Sequence, residues 1–506
     1  MKTSKKTEAL SADYADGRRL NRHSVVVDVV EGLICVNLRN LRTKFLTGVA
    51  VSMLLTGCSL APTYQRPELP VAAAWPESAK AAVHPTDAKA MPDWQIYFPD
   101  PRLQALIKAA LENNRDLRIA TARIAEARAQ YGIAQANRIP NLNLNASRTA
   151  SLTPGSTSPT GNRYQMQRYD INASLVSFEI DFWGRVSSLN ATAKALYLAT
   201  EEAQRSFRLS LICDVANAYL AVLELQERER LADATAQGRG EMKKLIEQRR
   251  DVGIASDIDA LQSDGAYQAA LADKASLQQQ RAAAENLLGV LVGKMSDTLP
   301  MGRSLAMQEI RNEPMAGLPS VVLLQRPDVL AAEQRLIASN ANIGAARAAF
   351  LPSISLTGSF GSASRQLNGL FGAGSDAWSF QPVLTLPLFD AGRNAANLDV
   401  AQARKVIAVA EYEKTIQQAF REVADLLSAR DSLSVQLAAQ KANLKVQQQR
   451  QALVEARYHA GVANHLEVLD AQRDAYAAGQ AQLQVQRAQL SAATQLYKVL
   501  AGETEN

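Results

Sequence analysis

The sequence predicts an α+β membrane protein in which each chain carries two copies of a helix–strand–strand–long helix–helix unit. Three observations predict it: an internal duplication, long proline-free windows of helical composition, and short period-two segments between them. The duplication frames the rest. At an offset of 212, Asp116, Arg123, Gly132, Pro140, Leu144 and Ser147 recur as Asp328, Arg335, Gly344, Pro352, Leu356 and Ser359. At an offset of 208, Gly184, Arg185, Val215, Arg249, Gly253, Ala255 and Leu261 recur as Gly392, Arg393, Val423, Arg457, Gly461, Ala463 and Leu469. The change of offset falls between Ser147 and Gly184, so the first copy carries the longer loop there.

All 18 prolines avoid residues 102–139, 160–299 and 388–506. Proline costs about 3 kcal/mol inside a helix, so these windows are where helices can run. Within Gly184–Arg250 and Gly392–Tyr458, Ala, Leu, Gln, Glu, Arg and Lys dominate, with apolar positions three and four apart. Helices of that length reach about 100 Å at 1.5 Å per residue, far beyond the needs of a compact core. Their Ala content suits close, coiled-coil-like contact. Each ends at a glycine-centred tip, where Gly253 or Gly461 supplies a left-handed cap and Ser256 or Asn464 caps the returning helix. The spacing predicts returning helices over 256–293 and 464–500. It predicts opening helices over 102–138 and about 322–350, which can stack end to end on the returning ones.

The strands follow from alternation. Asn141-Leu142-Asn143-Leu144-Asn145 alternates cleanly, and so does Tyr169 to Leu175. The second run changes phase at Val176 and continues through Phe178, Ile180 and Phe182. Copy two gives Ser353 to Thr357, then Trp378, Phe380, Leu384, Leu386 and Leu388 on one parity. Such strings mark membrane strands, and equally a soluble hairpin with one buried face. Counting separates the two readings further. Four strands cannot close a barrel, which needs about eight, and an open edge in lipid is forbidden. If these strands span a membrane, several chains share one barrel: three chains supply twelve strands, and two supply eight with little lumen.

Composition bounds the partners. The 506 residues leave room for two or three ordinary domains. The net charge of +5 lies almost wholly in the first 57 residues, the remainder holding 46 basic against 45 acidic side chains. No clustered basic face for nucleic acid is visible. Cys35, Cys58 and Cys213 are too few and scattered for a disulfide framework or zinc site. Leu41-Arg42-Thr43-Lys44 precedes an apolar run, Phe45 to Leu55, that ends in Leu55-Thr56-Gly57-Cys58. A basic flank, a short apolar core and small residues make a secretory signal, too short to span a bilayer. Its ending resembles a bacterial lipobox, which implies cleavage before Cys58, lipidation there and, with Ser59 following, the outer membrane. The forty residues ahead of it point to translation starting nearer Val36.

The chain resembles the TolC-like outer-membrane factor family, in the lipoprotein branch of its efflux channels. The matching residues are Cys58-x-Leu60-Ala61-Pro62-x-Tyr64-x-Arg66-Pro67, Trp94 to Leu103, Asn113-Asn114-x-Asp116-Leu117, Phe182-Trp183-Gly184-Arg185, Phe389-Asp390-x-Gly392-Arg393 and both tips. The resemblance implies a homotrimer with a 12-stranded outer-membrane β-barrel and a 12-helix periplasmic α-barrel. It implies a passive exit duct docked to a periplasmic membrane-fusion adaptor and a proton-driven inner-membrane pump of the RND type. The adaptor would dock at Gly253, Ile254, Ala255 and Ser256 and at Gly461, Val462, Ala463 and Asn464. Asp259, Glu467 and Asp470 would line the periplasmic aperture, with Tyr458 as a constraining partner. Copy two departs from the family pattern, with Glu467 where Asp is common and Ala463 where an Arg can pair across the aperture. Threefold repetition of a carboxylate at a constriction would attract cations; as plain first-turn acids, the same residues favour the helix dipole. These readings divide the chain into an N-terminal extension with signal (1–57), a lipidated linker (58–100), repeat 1 (101–300), a connector (301–321) and repeat 2 (322–506). Strands are expected at about 140–152, 168–182, 351–362 and 377–389, and tips at about 250–258 and 458–466.

No cofactor or metal is expected. His459 and His465 straddle a tip, but two lone histidines on a turn are ordinarily solvated. Gly289 to Met295 hints at a phosphate loop but is one residue short and lacks the Ser or Thr. Nothing supports an enzyme. The alternatives to small-molecule export are a duct of the same build for protein secretion and a non-conducting envelope lipoprotein.

Overall fold

A computed structural model describes residues 60–72, 93–294, 299–310 and 320–500, with backbone alone for 320–322. The signal and Cys58 lie outside the described residues. The elements are α1 (Trp94–Tyr97), α2 (Pro101–Asn113), α3 (Arg115–Ala136), β1 (Leu142–Thr153), β2 (Tyr164–Ile180), α4 (Arg185–Asp251) and α5 (Asp257–Val292). Copy two supplies α6 (Pro327–Ala348), β3 (Ser353–Ser364), β4 (Asp376–Thr385), α7 (Arg393–His459) and α8 (His465–Leu500).

The long helices α4 and α7 are 67 residues each, about 100 Å. Both start the same way. Gly184 and Gly392 sit at φ 72° and 83°. An aspartate just before each caps the exposed amides: Asp181 accepts from the Val186 and Ser187 N–H, and Asp390 from the Gly392 and Asn394 N–H. The most apolar stretch of α4 is core rather than a membrane span. Leu209, Ile212, Val215 and Tyr219 pack with Phe98, Leu106, Ile107, Val292 and Tyr497. A second cluster joins Leu323, Val329 and Leu336 to Tyr412, Ile416, Val423 and Val499. Asp100 pins the first cluster, accepting from Tyr219 Oη at 3.1 Å, the Arg303 N–H at 3.1 Å and Gln308 Nε2 at 2.5 Å.

The expected single helix over 102–138 is in fact two. Asn114 ends α2 and begins α3, its Oδ1 accepting from the Leu117 N–H at 2.9 Å while its Nδ2 donates to the Leu291 carbonyl at 2.8 Å. One side chain thus caps the N-terminus of α3 and ties it to the C-terminal end of α5, the end-to-end junction that lets α3 prolong the returning helix. Gly293 at φ 76° makes that approach feasible, since a Cβ there would meet the Asn113 carbonyl oxygen at 2.6 Å. In copy two, Pro327 tolerates only a first-turn position, so α6 starts there.

The four strands form one antiparallel sheet in the order β1-β2-β3-β4. Its register sorts the faces. Leu142, Leu144 and Ala146 lie opposite Leu175, Ala173 and Ile171. Those continue to Gly358, Phe360 and Ser362 on β3, and Phe360 and Gly358 to Trp378 and Phe380 on β4. The other face carries Asn143, Asn145, Ser174, Asn172, Ser359, Ser379, Thr357 and Gln381. The phase change at Val176 is a bulge between Leu175 and Phe178, with Ser177 at φ 49°. It returns Phe178 and Ile180 to the apolar face.

Candidate functional site

Two parts of the fold have functional geometry: the sheet and the helical tips. The apolar face of the sheet is bare, with Leu144 78% and Trp378 75% exposed. Side chains of that kind on a water-facing surface would cost roughly 1.5–3 kcal/mol each relative to burial. From Ile354 to Phe360 the apolar stripe runs about 20 Å along the strand at ~3.3 Å per residue, on the scale of the ~25 Å outer-membrane apolar band. The opposite face is hydrogen-bonded and polar: Asn145 Nδ2 donates to Ser174 Oγ at 2.7 Å, and Ser359 and Ser379 share a hydroxyl bond of 2.7 Å. Among the described residues β1 and β4 each keep one unpaired edge. The soluble-hairpin reading requires a buried apolar face, and this face has none.

At the far end, both tips use one turn. The Ile254 N–H donates to the Arg249 carbonyl and the Gly253 N–H to Arg250; Val462 and Gly461 repeat this on Arg457 and Tyr458. Gly253 and Gly461 both sit at φ 78°, the left-handed cap position. Each returning helix then opens with a reciprocal cap. Ser256 Oγ accepts from the Asp259 N–H at 3.1 Å, and Asp259 Oδ2 accepts from both Ser256 N–H and Oγ–H. Asn464 and Glu467 make the equivalent pair. The Ser256 hydroxyl and then its N–H hold the Asp259 carboxyl below its usual range. Asp259 and Glu467 are therefore structural caps whatever else they do. Glu467 also lies 3.9 Å from Arg457, and Asp470 3.2 Å from Arg473.

The structure brings Tyr458, Ala255 and Ala463 into one cluster with Ile246, Ala260, Val454, Val468 and Ala471, joining the two hairpins. Tyr458 is tied across it: Arg249 Nη1 donates to Tyr458 Oη at 2.9 Å, and the guanidinium sits 5.4 Å from the ring centroid. Sequence reasoning named Tyr458 without its partner. The signal available was Arg249 itself, which recurs as Arg457 in the duplicated register. Ile254 and Val462 remain exposed, as do Val252, Ile258, Leu261 and Leu466, so each tip presents bare apolar side chains. His465, expected to be solvated, is buried; His459 is exposed. No group of three or more metal-ligating side chains occurs among the described residues.

The segment 60–72 lies along α6. Arg347 Nη1 donates to the Leu60 carbonyl and Asn340 Nδ2 to that of Pro62. Tyr64 Oη and Arg66 Nε and Nη2 then converge on Glu333 at 2.7–2.8 Å.

Known proteins share this build. The family profile described as "Outer membrane efflux protein" matches residues 106–294 and 318–502. A solvent efflux pump outer membrane protein of Pseudomonas putida, SrpC, is 43% identical over 454 residues, covering 89% of this chain and 96% of its own. Outer membrane protein OprJ of Pseudomonas aeruginosa is 43% identical over 432 residues, covering 85% and 90%. The open-state structure of the Neisseria gonorrhoeae MtrE outer membrane channel superposes with a TM-score of 0.79 at 35% identity, covering 88% of this chain and 98% of that one. This chain belongs to the outer membrane efflux protein family.

Proposed function

We propose that three copies of this chain form the passive outer-membrane duct of a tripartite efflux system, exporting small molecules. The observation that carries this reading is the four-stranded sheet, bare and apolar on one side, polar on the other, and open at both edges. Closing it in lipid requires neighbours, and three copies give twelve strands and a water-filled lumen. The four helical columns per chain become a twelve-column tunnel. No energy source is needed in the duct; a proton-driven RND-type pump supplies it through a membrane-fusion adaptor. The exposed apolar tips around Gly253–Ser256 and Gly461–Asn464 are suited to adaptor docking. Asp259, Glu467 and Asp470 repeat three times around the opening. Relatives named for solvent and toluene efflux favour small apolar cargo. Lipidation of Cys58 fits the hold that Arg347 takes on Leu60 near the strand end of α6.

The duplication also supplies the seam between copies. Within the chain Ile180 pairs with Ile354 and Phe178 with Leu356. The two offsets carry these pairs to Leu388 against Leu142 and Leu386 against Leu144 of the next copy, all outward-facing by parity. Cysteines at Leu386 and Leu144 should cross-link purified protein into covalent trimers, and reconstituted trimers should conduct in planar bilayers. Monomers with no cross-link would refute the shared barrel. Trimers that never conduct would favour an envelope tether, and copurification with an ATP-driven exporter would favour protein secretion.

A further inference from the structure

His465 opens α8 and is 5% exposed. Its ring lies 6.0 Å from that of Tyr458, and among the described residues neither Nδ1 nor Nε2 has a protein hydrogen-bond partner. Buried polar atoms are ordinarily paired, so an imidazole with both nitrogens bare is an exception that calls for a reason. Its location suggests one: Tyr458 is the residue that Arg249 grips from the other hairpin. His465 therefore backs onto the contact that holds the two tips together.

The groups around it come from every element packed there. Asp259 faces it from α5, Arg249 stands beyond Tyr458 on α4, and Tyr458 and His459 lie on α7. Glu467, beside Arg457, is on its own helix. A neutral ring fits this cluster. A protonated one would bring a charge with no acceptor bonded to it, at the positive end of the α8 dipole. Asp259 offsets part of that cost, but one of its oxygens is already engaged by Ser256.

We propose that His465 makes separation of the hairpin tips proton-dependent: protonation expels the ring from its cluster and loosens the Arg249–Tyr458 tie. Burial lowers the proton affinity of His465 below the ordinary histidine value of 6.5, with Asp259 opposing. The sign follows by linkage. A ring released to water binds protons more tightly than the buried one, so acidification favours the released state, beginning as pH falls through about 6.5. The inference rests on the duct reading for its consequence, an exit that opens more readily in an acidified periplasm, but its test does not.

Amide hydrogen exchange of residues 250–262 and 456–468 would be followed in detergent-solubilised native oligomers from about pH 7.5 to about pH 5.5, normalised for intrinsic exchange. Protection at both tips should fall with acid, by at most about tenfold per pH unit per subunit. His465→Phe keeps the ring and the packing but cannot take a proton, and should hold protection flat; His465→Gln, polar and unchargeable, should do the same. Equal acid sensitivity in these variants, or none in the native protein, overturns the proposal. Bilayer conductance at neutral pH tests the duct separately, so failure of one is distinguishable from failure of the other.

Discussion

Removing the Arg249 side chain should unlock the periplasmic end. The guanidinium gives Tyr458 one hydrogen bond at 2.9 Å and sits 5.4 Å from the ring centroid. A charged hydrogen bond contributes roughly 1.5 kcal/mol net, reduced to about 1 because Arg249 is partly exposed, and the cation–π contact adds ~0.5–1. Arg249→Ala thus costs the tied arrangement of the two hairpins about 2 kcal/mol per subunit, while Tyr458→Phe, which keeps the ring, costs about 1. If three subunits open together the totals are about 6 and 3 kcal/mol, or roughly four and two decades in the open-to-closed ratio. Independent subunits would give only about thirtyfold and fivefold each. Single-channel open probability in planar bilayers reads this directly. Arg450→Ala is the control, since Arg450 pairs with Asp474 at 2.7 Å within hairpin two and, among the described residues, makes no ion pair to the other hairpin. If Arg249→Ala and Arg450→Ala raised opening equally, or Tyr458→Phe left it unchanged, the tie would not be what keeps the tips together.

Arg66→Ala should destabilise the assembled protein by about 2 kcal/mol, because Glu333 is left buried with Tyr64 alone, the estimate being held down by the 48% exposure of Arg66. Adding Glu333→Leu should recover much of that loss in thermal unfolding. Gly253→Ala and Gly461→Ala should each cost about 1–2 kcal/mol locally, since a Cβ at φ 78° is strained although the space around it is open; faster tip exchange at constant helix content checks this. The depressed Asp259 carboxyl gives its cap stability that is fully present above the ordinary value of 3.8 and lost as pH falls through the lower folded value. In a His465→Phe background, which removes the histidine's own acid response, acid fraying at residues 256–262 below about pH 4 should therefore be absent in Asp259→Asn. Glu467→Ala with Asp470→Ala should weaken block by multivalent cations by only a fewfold, because Arg457 and Arg473 already lie beside these carboxylates; complete loss of block would show that those arginines screen nothing.

Much of the fold lies in local pattern. Strand alternation needs nothing beyond a period of two, and the slip at Val176 announced the bulge because an extra residue inverts every side chain after it. Proline exclusion and the aspartate–glycine starts delimit the long helices because each acts within one turn of itself. The break at Asn114 was illegible for the opposite reason. An asparagine inside a helical window carries no breaking signal until the Leu291 carbonyl, 177 residues away, takes its second hydrogen bond.

The sequence by itself determined the unit, its repetition, the strands and the turn at each tip, since all of these are set by residues within a few positions of one another. Tertiary structure decided which strand face stays bare, that Arg249 holds Tyr458, that Arg66 reaches Glu333 and that His465 is buried. Those outcomes depend on groups up to 267 residues apart meeting in space. Several side chains of the same type compete for each such meeting, and packing alone selects among them.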